Sequence, residues 1–158
     1  MTCFKYGDDI DTDVIIAARY LHIPDIKELA KYTMLDIDPS FVEKVHPGDV
    51  IIAGSNFGSG SSREQAPMVL RECGIKCVIA KSYARIFFRN AINIGFPILT
   101  CPEAVDGIEV GDEILVDTTA GIIKNLTKNC EWTAEKLPEF IINIGEAGGL
   151  LAYLKGRK

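Results

Sequence analysis

At 158 residues the chain is long enough to bury one substantial core and too short for two ordinary domains. Hydrophobic residues at 47% and charged ones at 25% argue against disorder, and a net charge of −5 argues against the broad basic field of a nucleic-acid binder. Five cysteines, Cys3, Cys73, Cys77, Cys101 and Cys130, form an odd set without paired spacings, which argues against a disulfide framework and against a zinc or iron–sulfur site made by this chain alone.

The first residues, Met1-Thr2-Cys3-Phe4-Lys5-Tyr6, contain no apolar leader core, and no later stretch is apolar for long enough to cross a bilayer. A cytoplasmic chain with neither membrane nor nucleic acid as a partner is expected. Thr2 to Tyr6 reads as a short strand. Asp8, Asp9, Asp11 and Asp13 follow in what reads as an acidic loop with Asx-type hydrogen bonds. A calcium loop would need a glycine and a closing glutamate at offsets not found here. Ala17 to Pro24 reads as a further loop, in which His22 is equally a solvent-facing and a functional side chain. Asp25 to Tyr32 has amphipathic spacing, with Asp25 as cap and Ile26, Leu29 and Ala30 on one face. Pro39 and Ser40 open another helical turn, with Phe41, Val42 and Val45 on its apolar side. His46-Pro47-Gly48-Asp49 is a turn, and His46 reads as a turn residue only.

The most informative stretch comes next. Val50-Ile51-Ile52-Ala53 is an apolar, β-branched run that reads as a buried strand, and it breaks into Gly54-Ser55-Asn56-Phe57-Gly58-Ser59-Gly60-Ser61-Ser62-Arg63-Glu64. Ser61 or Ser62 is expected to cap a helix whose first turn holds Arg63 and Glu64, so that backbone N–H groups, hydroxyls and a guanidinium converge on an anion. Three familiar glycine-loop motifs fail on spacing. No lysine follows the glycines as a Walker loop requires; Arg63 stands where a dinucleotide fingerprint needs its third glycine; and Ser61 lacks the flanking glycines of a nucleophile elbow.

Pro67 to Cys73 continues as a helix with Met68, Val69 and Leu70 inward, and Cys77 to Ala80 is a second buried strand. Strand, helix and strand make a βαβ unit, which puts the glycine loop at the carboxyl end of a parallel strand, where ligands bind. Lys81-Ser82-Tyr83 leads into a helix over Ala84 to Asn93 that Gly95 stops. Arg85 and Arg89 read first as surface cations. Phe96 to Leu99 is a strand, Glu113 to Asp117 and Ile122 to Leu126 form a hairpin, and Cys130 to Thr133 adds a strand. Pro138 to Glu146 reads as a last helix with Phe140, Ile141 and Ile144 inward, ended by Gly148-Gly149 before a leucine-rich tail. Cys73 and Cys77 read as plain buried thiols. The fold class is α/β, with parallel βαβ units, a small antiparallel β layer, and one domain over 1–158.

Asn56-Phe57-Gly58-Ser59-Gly60-Ser61-Ser62-Arg63-Glu64-Gln65-Ala66-Pro67 strongly resembles the signature of the small, swivelling-domain subunits of 3-isopropylmalate dehydratase, in the aconitase superfamily. Asp9-Ile10-Asp11-Thr12-Asp13-Val14-Ile15-Ile16 resembles the family's N-terminal motif. Tyr83-Ala84-Arg85-Ile86-Phe87, followed by Asn90, Asn93, Gly95 and Pro97, resembles its downstream segment. The likeness covers nearly the whole chain and departs at Ser59, where many relatives carry cysteine, and at Gln65, where many carry histidine.

The resemblance implies a single β/β/α swivel domain and a hydro-lyase that isomerises 2-isopropylmalate to 3-isopropylmalate through isopropylmaleate, in leucine biosynthesis. It implies Ser61 as the catalytic base and Arg63 as the carboxylate clamp. Ser62 and the loop amides near Gly58 and Gly60 would hold the oxyanion, Tyr20, Leu21 and His22 would meet the substrate's side group, and Asp11, Thr12 and Asp13 would hold the loop that follows them. No metal or cofactor is expected on this chain. A 4Fe-4S cluster is expected on a large partner subunit, the substrate is a dicarboxylate or tricarboxylate, and the isolated chain can form a homo-oligomer. The same scaffold also serves homoaconitate, citramalate and dimethylmalate, and Ser59 and Gln65 leave those substrates open. From another class, a non-catalytic module would use Gly58, Gly60 and Arg63 only to bind an anion. Plain helix capping by Ser61 and Ser62, worth about 1 kcal/mol, is the third reading.

Overall fold

The computed structural model describes residues 2–156; Met1, Arg157 and Lys158, at the ends of the expected domain, lie outside them. Strands β1 (Cys3–Lys5), β2 (Val50–Ala53), β3 (Cys77–Ala80) and β4 (Ile98–Thr100) form a parallel sheet in the order β1-β2-β3-β4. Parallel neighbours need a crossover. Here helix α4 (Gln65–Glu72) joins β2 to β3 and helix α5 (Arg85–Asn93) joins β3 to β4. The link from β1 to β2 carries three short helices, α1 (Thr12–Ile15), α2 (Ile26–Leu29) and α3 (Phe41–Lys44). Beyond β4 come α6 (Pro102–Gly107), an antiparallel sheet of β5 (Ile114–Asp117), β6 (Ile122–Asn125) and β7 (Cys130–Thr133), and finally α7 (Glu139–Glu146) and α8 (Leu150–Gly156).

Side-chain alternation along the parallel strands divides the interior in two. Ile51, Ala53, Val78, Ala80 and Ile98 point to the helical side, into a core with Phe41, Phe57, Val69, Leu70 and Phe87. Val50, Ile52, Cys77, Ile79 and Leu99 point the other way and meet Ile114, Val116 and Ile123 of the antiparallel sheet. The central sheet is therefore covered on both faces, which is why its strands read as unbroken apolar runs. The result is the β/β/α layering expected for an α/β fold of this kind. Each fully buried isoleucine or phenylalanine here stabilises by about 1.5–3 kcal/mol.

Several expectations need correction. The acidic stretch is not all loop, because Asp11 accepts from the Asp13 N–H at 2.6 Å and caps α1. The helix expected over Asp25 to Tyr32 starts as foreseen, with Asp25 accepting from Lys27 N–H at 2.9 Å, but tightens into a 3-10 turn at Ala30–Tyr32. The last parallel strand begins at Ile98, since Phe96 N–H is committed to Ala91 O at the end of α5. Met68 is only half-buried, and Phe140, expected inward, is exposed while Ile144 is buried. The leucine-rich tail is helix α8, and α6, with Pro102 in its first turn, was not foreseen.

Candidate functional site

The loop between β2 and α4 is threaded between two other segments. On one side, Asp8 Oδ1 accepts from Ser55 N–H at 2.7 Å and Asp9 Oδ1 from the Asn56 side-chain amide at 3.0 Å. Gly58 N–H donates to Ile10 O at 2.7 Å, and Thr12 N–H to Ser59 O at 2.8 Å. On the other side, Asn56 N–H donates to Ser82 Oγ at 2.8 Å, Phe57 N–H to Ser82 O and Ala84 N–H to Phe57 O. Phe57 anchors the loop in the helical core, edge-on to Phe87 at 5.1 Å. Both flanking segments, like the loop itself, leave the carboxyl ends of parallel strands, so three connections meet over one end of the sheet. The loop turns at Asn56, Gly58 and Gly60, with φ of +59°, +83° and +88°.

This arrangement fixes Ser61 by its backbone and leaves its hydroxyl open. Thr12 Oγ1 donates to Ser61 O at 2.8 Å, whereas the exposed Ser61 and Ser62 hydroxyls have no partner among the described residues. The amides of Gly60, Ser61 and Ser62 likewise donate to no protein group there. The Gly58 amide, grouped with them from the sequence, is spent on Ile10 and is not available to an oxyanion. Gly58 contributes by absence instead: a Cβ at that point would collide with the Phe87 side chain.

Arg63 points inward, its side chain only 14% exposed, and Nη1 donates to Asp13 Oδ1 at 2.8 Å and to Ile16 O at 3.0 Å. A guanidinium carries five N–H donors, so Nη2 and Nε keep three, with no protein partner among the described residues. No buried polar side-chain atom in those residues lacks a partner, so this free edge is open to solvent. Hydrogen bonding from Arg63, then from Ala18 N–H, holds the Asp13 carboxyl below its ordinary range.

Neither Ser61 nor Ser62 caps α4. The helix begins at Gln65 after Glu64, which makes no side-chain cap, and Arg63 precedes its first turn. Three long-range contacts meet the chain just before the helix: Thr12 on Ser61 O, and Asp13 and Ile16 on the Arg63 side chain. The capping reading is thereby overturned. Ser61 stands four residues before the start of α4, and a helix-end field fades within a turn.

Tyr20 and Leu21 stand on and just after the 3-10 turn Ala18–Tyr20. Tyr20 stacks on Tyr32 at 4.1 Å beneath the Arg19 guanidinium, itself paired with Asp36, and Leu21 packs on the helical core. His22 is exposed, its Nδ1 3.0 Å from Arg19 O. Asp13 Oδ1 accepts from Ala18 N–H at 3.0 Å, which ties this turn to Arg63. Sequence reasoning missed the roles of Asp8 and Ser82 in holding the loop. The available signal was a glycine loop with free amides beside a run of short carboxylates.

Among the described residues no three His, Cys, Asp or Glu side chains converge. Burial pushes the Cys77 thiol up to about 12 and raises those of Cys3, Cys73 and Cys101, whereas a metal needs thiolate.

The chain is 62% identical over 152 residues to the 3-isopropylmalate dehydratase small subunit of Caldicellulosiruptor saccharolyticus, covering 96% of this chain and 88% of that one. It is 57% identical over 155 residues to the same-named subunit of Clostridioides difficile, covering 98% and 95%. The chain belongs to the 3-isopropylmalate dehydratase small-subunit family. The Aconitase C-terminal domain model matches residues 15–104, from the end of α1 through the glycine loop and into α6. The fold of this chain superposes on the crystal structure of 3-isopropylmalate dehydratase from Methanocaldococcus jannaschii with a TM-score of 0.93 at 47% identity, over 99% of this chain and 92% of that one. No helix among the described residues is long and apolar enough to cross a membrane.

Proposed function

We propose that this chain is the small subunit of a cytoplasmic hydro-lyase that converts 2-isopropylmalate to 3-isopropylmalate through isopropylmaleate, in leucine biosynthesis, and that it works only when joined to a large subunit. Dehydration of such an acid removes a weakly acidic C–H proton beside a carboxylate and expels hydroxide. It needs a base, a clamp for carboxylates and an electron-pair acceptor. We assign that acceptor to a 4Fe-4S cluster on the large subunit; among the described residues of this chain no three His, Cys, Asp or Glu side chains converge.

Ser61 is the base. Its hydroxyl is open, its backbone is fixed, and its alkoxide is stabilised by Arg63 two residues on and by nearby unpartnered amides. Arg63 clamps a carboxylate with its outer edge, whose flat fork matches a carboxylate in a way that lysine would not. Gly60 and Ser62 supply donors to the oxyanion, while Gly58 lets the loop lie against α5. Tyr20, Leu21 and His22 meet the side group at C2. The observation that carries this reading is an exposed, unpartnered hydroxyl at Ser61 on a pinned loop, beside an arginine with a free outer edge.

The test is Ser61→Ala in the reconstituted two-subunit complex, with isopropylmaleate, citraconate and homoaconitate hydrated in parallel. Loss of a base lowers kcat by roughly 10²–10⁴-fold. That loss, with assembly intact and isopropylmaleate the preferred substrate of the unmutated complex, is the expected result. Unchanged turnover in the variant overturns the role of Ser61.

A further inference from the structure

Resting on the reading just given, the geometry points to Asp13 as a positioning residue that sets the substrate clamp and the side-group recognition turn from a single oxygen. Asp13 Oδ1 accepts from Arg63 Nη1 at 2.8 Å and from Ala18 N–H at 3.0 Å. One donor belongs to the residue that grips a carboxylate. The other opens the turn Ala18–Tyr20 that leads into Leu21 and His22.

The oxygen is itself held in place. Asp13 lies in the first turn of α1, and its own N–H donates to Asp11 Oδ1 at 2.6 Å. Asp11 lies against Gly60, where a Cβ would stand 2.5 Å from Asp11 Oδ2. Ile16 O, at the other end of α1, takes a second bond from the same Arg63 nitrogen at 3.0 Å. Two points on one short helix thus fix the inner corner of the guanidinium and aim its three remaining donors outward. Charge matters as well as shape, because Arg63 is largely buried and the Asp13 carboxylate is the one acidic group bonded to it among the described residues.

The consequence concerns specificity. A substrate whose carboxylate is gripped by Arg63 has its side group measured by a turn whose offset from Arg63 is set by the same oxygen. Displacing that oxygen changes how strongly the site distinguishes side groups as well as how tightly it grips the carboxylate they share.

The test uses the reconstituted two-subunit complex and two unsaturated diacids that differ only in their side group, isopropylmaleate and citraconate. Asp13→Asn keeps the shape and removes the charge. Ala18→Pro replaces the N–H that reaches Asp13 with the ring Cδ, which breaks that bond and pushes the turn away from Asp13 while leaving the bond from Arg63 to Asp13; Ala17 already has φ −68° and ψ 144°, which suits a residue before proline, and proline is tolerated at a first helical position. Asp13→Asn is expected to raise KM for both diacids by about tenfold, through the weakened charge-assisted bond to Arg63, and to change their kcat/KM ratio. Ala18→Pro is expected to change that ratio by at least about threefold with little change in the KM for citraconate, the diacid with the smaller side group. If both variants lower kcat equally for the two diacids and leave KM and the ratio alone, Asp13 is only structural and the assignment is overturned. If the unmutated complex hydrates neither diacid, the proposed function fails, and this assignment falls with it.

Discussion

At the scale of single residues, the loop depends on side chains that accept hydrogen bonds and on positions that have no side chain. Gly60, at φ +88°, turns the chain where an L side chain is strained, and the space its Cβ would fill is taken by Asp11. Asp11 in turn caps the helix that presents Asp13. The Asp13 carboxyl has an ordinary value of 3.8, which Arg63 and then Ala18 N–H lower in the folded chain. Its ionised form is therefore favoured by folding. The contribution is fully present above the ordinary value and is lost as pH falls through the lower, folded one. The stability difference between the unmutated chain and Asp13→Asn should accordingly stay constant from neutral pH down to about pH 5 and shrink progressively below that. Urea midpoints measured from pH 7 to 3 check this; a difference that widens on acidification contradicts the ion pair.

At the scale of elements, β2 and β3 have the bounds that the sequence suggests, because both faces of each strand are buried and a short β-branched run admits no amphipathic alternative. β7 was also legible. What escaped the sequence depended on distant partners. α4 starts later than capping at Ser61 or Ser62 would place it, and the residues before it are met by Thr12, Asp13 and Ile16, some 47–50 residues away, which local capping rules cannot register. α1 hides in a run of aspartates whose composition reads as loop, and Phe140 sits on the outer face of α7 although its spacing suits the inner one. At the site, the glycine loop at the carboxyl end of β2 was legible from the spacing, whereas the spent amide of Gly58 and the inward turn of Arg63 required the fold. The strands also decide thiol chemistry. Cys3 in β1, Cys77 in β3 and Cys101 after β4 are buried, and Cys130 at the start of β7 is exposed. A native-state thiol reagent near pH 8 should modify Cys130 rapidly, half-buried Cys73 slowly, and the other three only after denaturant is added. Rapid reaction of Cys77 would contradict the sealed central sheet.

At the scale of the whole molecule, one four-stranded sheet serves two cores, and the two share no residues apart from its backbone. We propose that the chain nevertheless unfolds as one domain, because neither core has an independent sheet to close on. The single tryptophan makes this measurable. Trp132 lies in β7 against the core on the antiparallel side, and its ring occupies the space that a Cβ on Gly107 would need. Phe41, by contrast, is fully buried on the helical side, edge-on to Phe4 at 4.8 Å. Phe41→Ala empties a cavity there and should cost about 3–5 kcal/mol. If the two cores form one cooperative unit, the urea midpoint reported by Trp132 fluorescence falls by the same amount as the midpoint reported by far-ultraviolet circular dichroism, although the substitution lies across the sheet from the fluorophore. A Trp132 transition left in place while the dichroism transition moves would mean that the antiparallel layer folds on its own. The loop bearing Ser61 and Arg63 would then be stabilised by the helical layer alone.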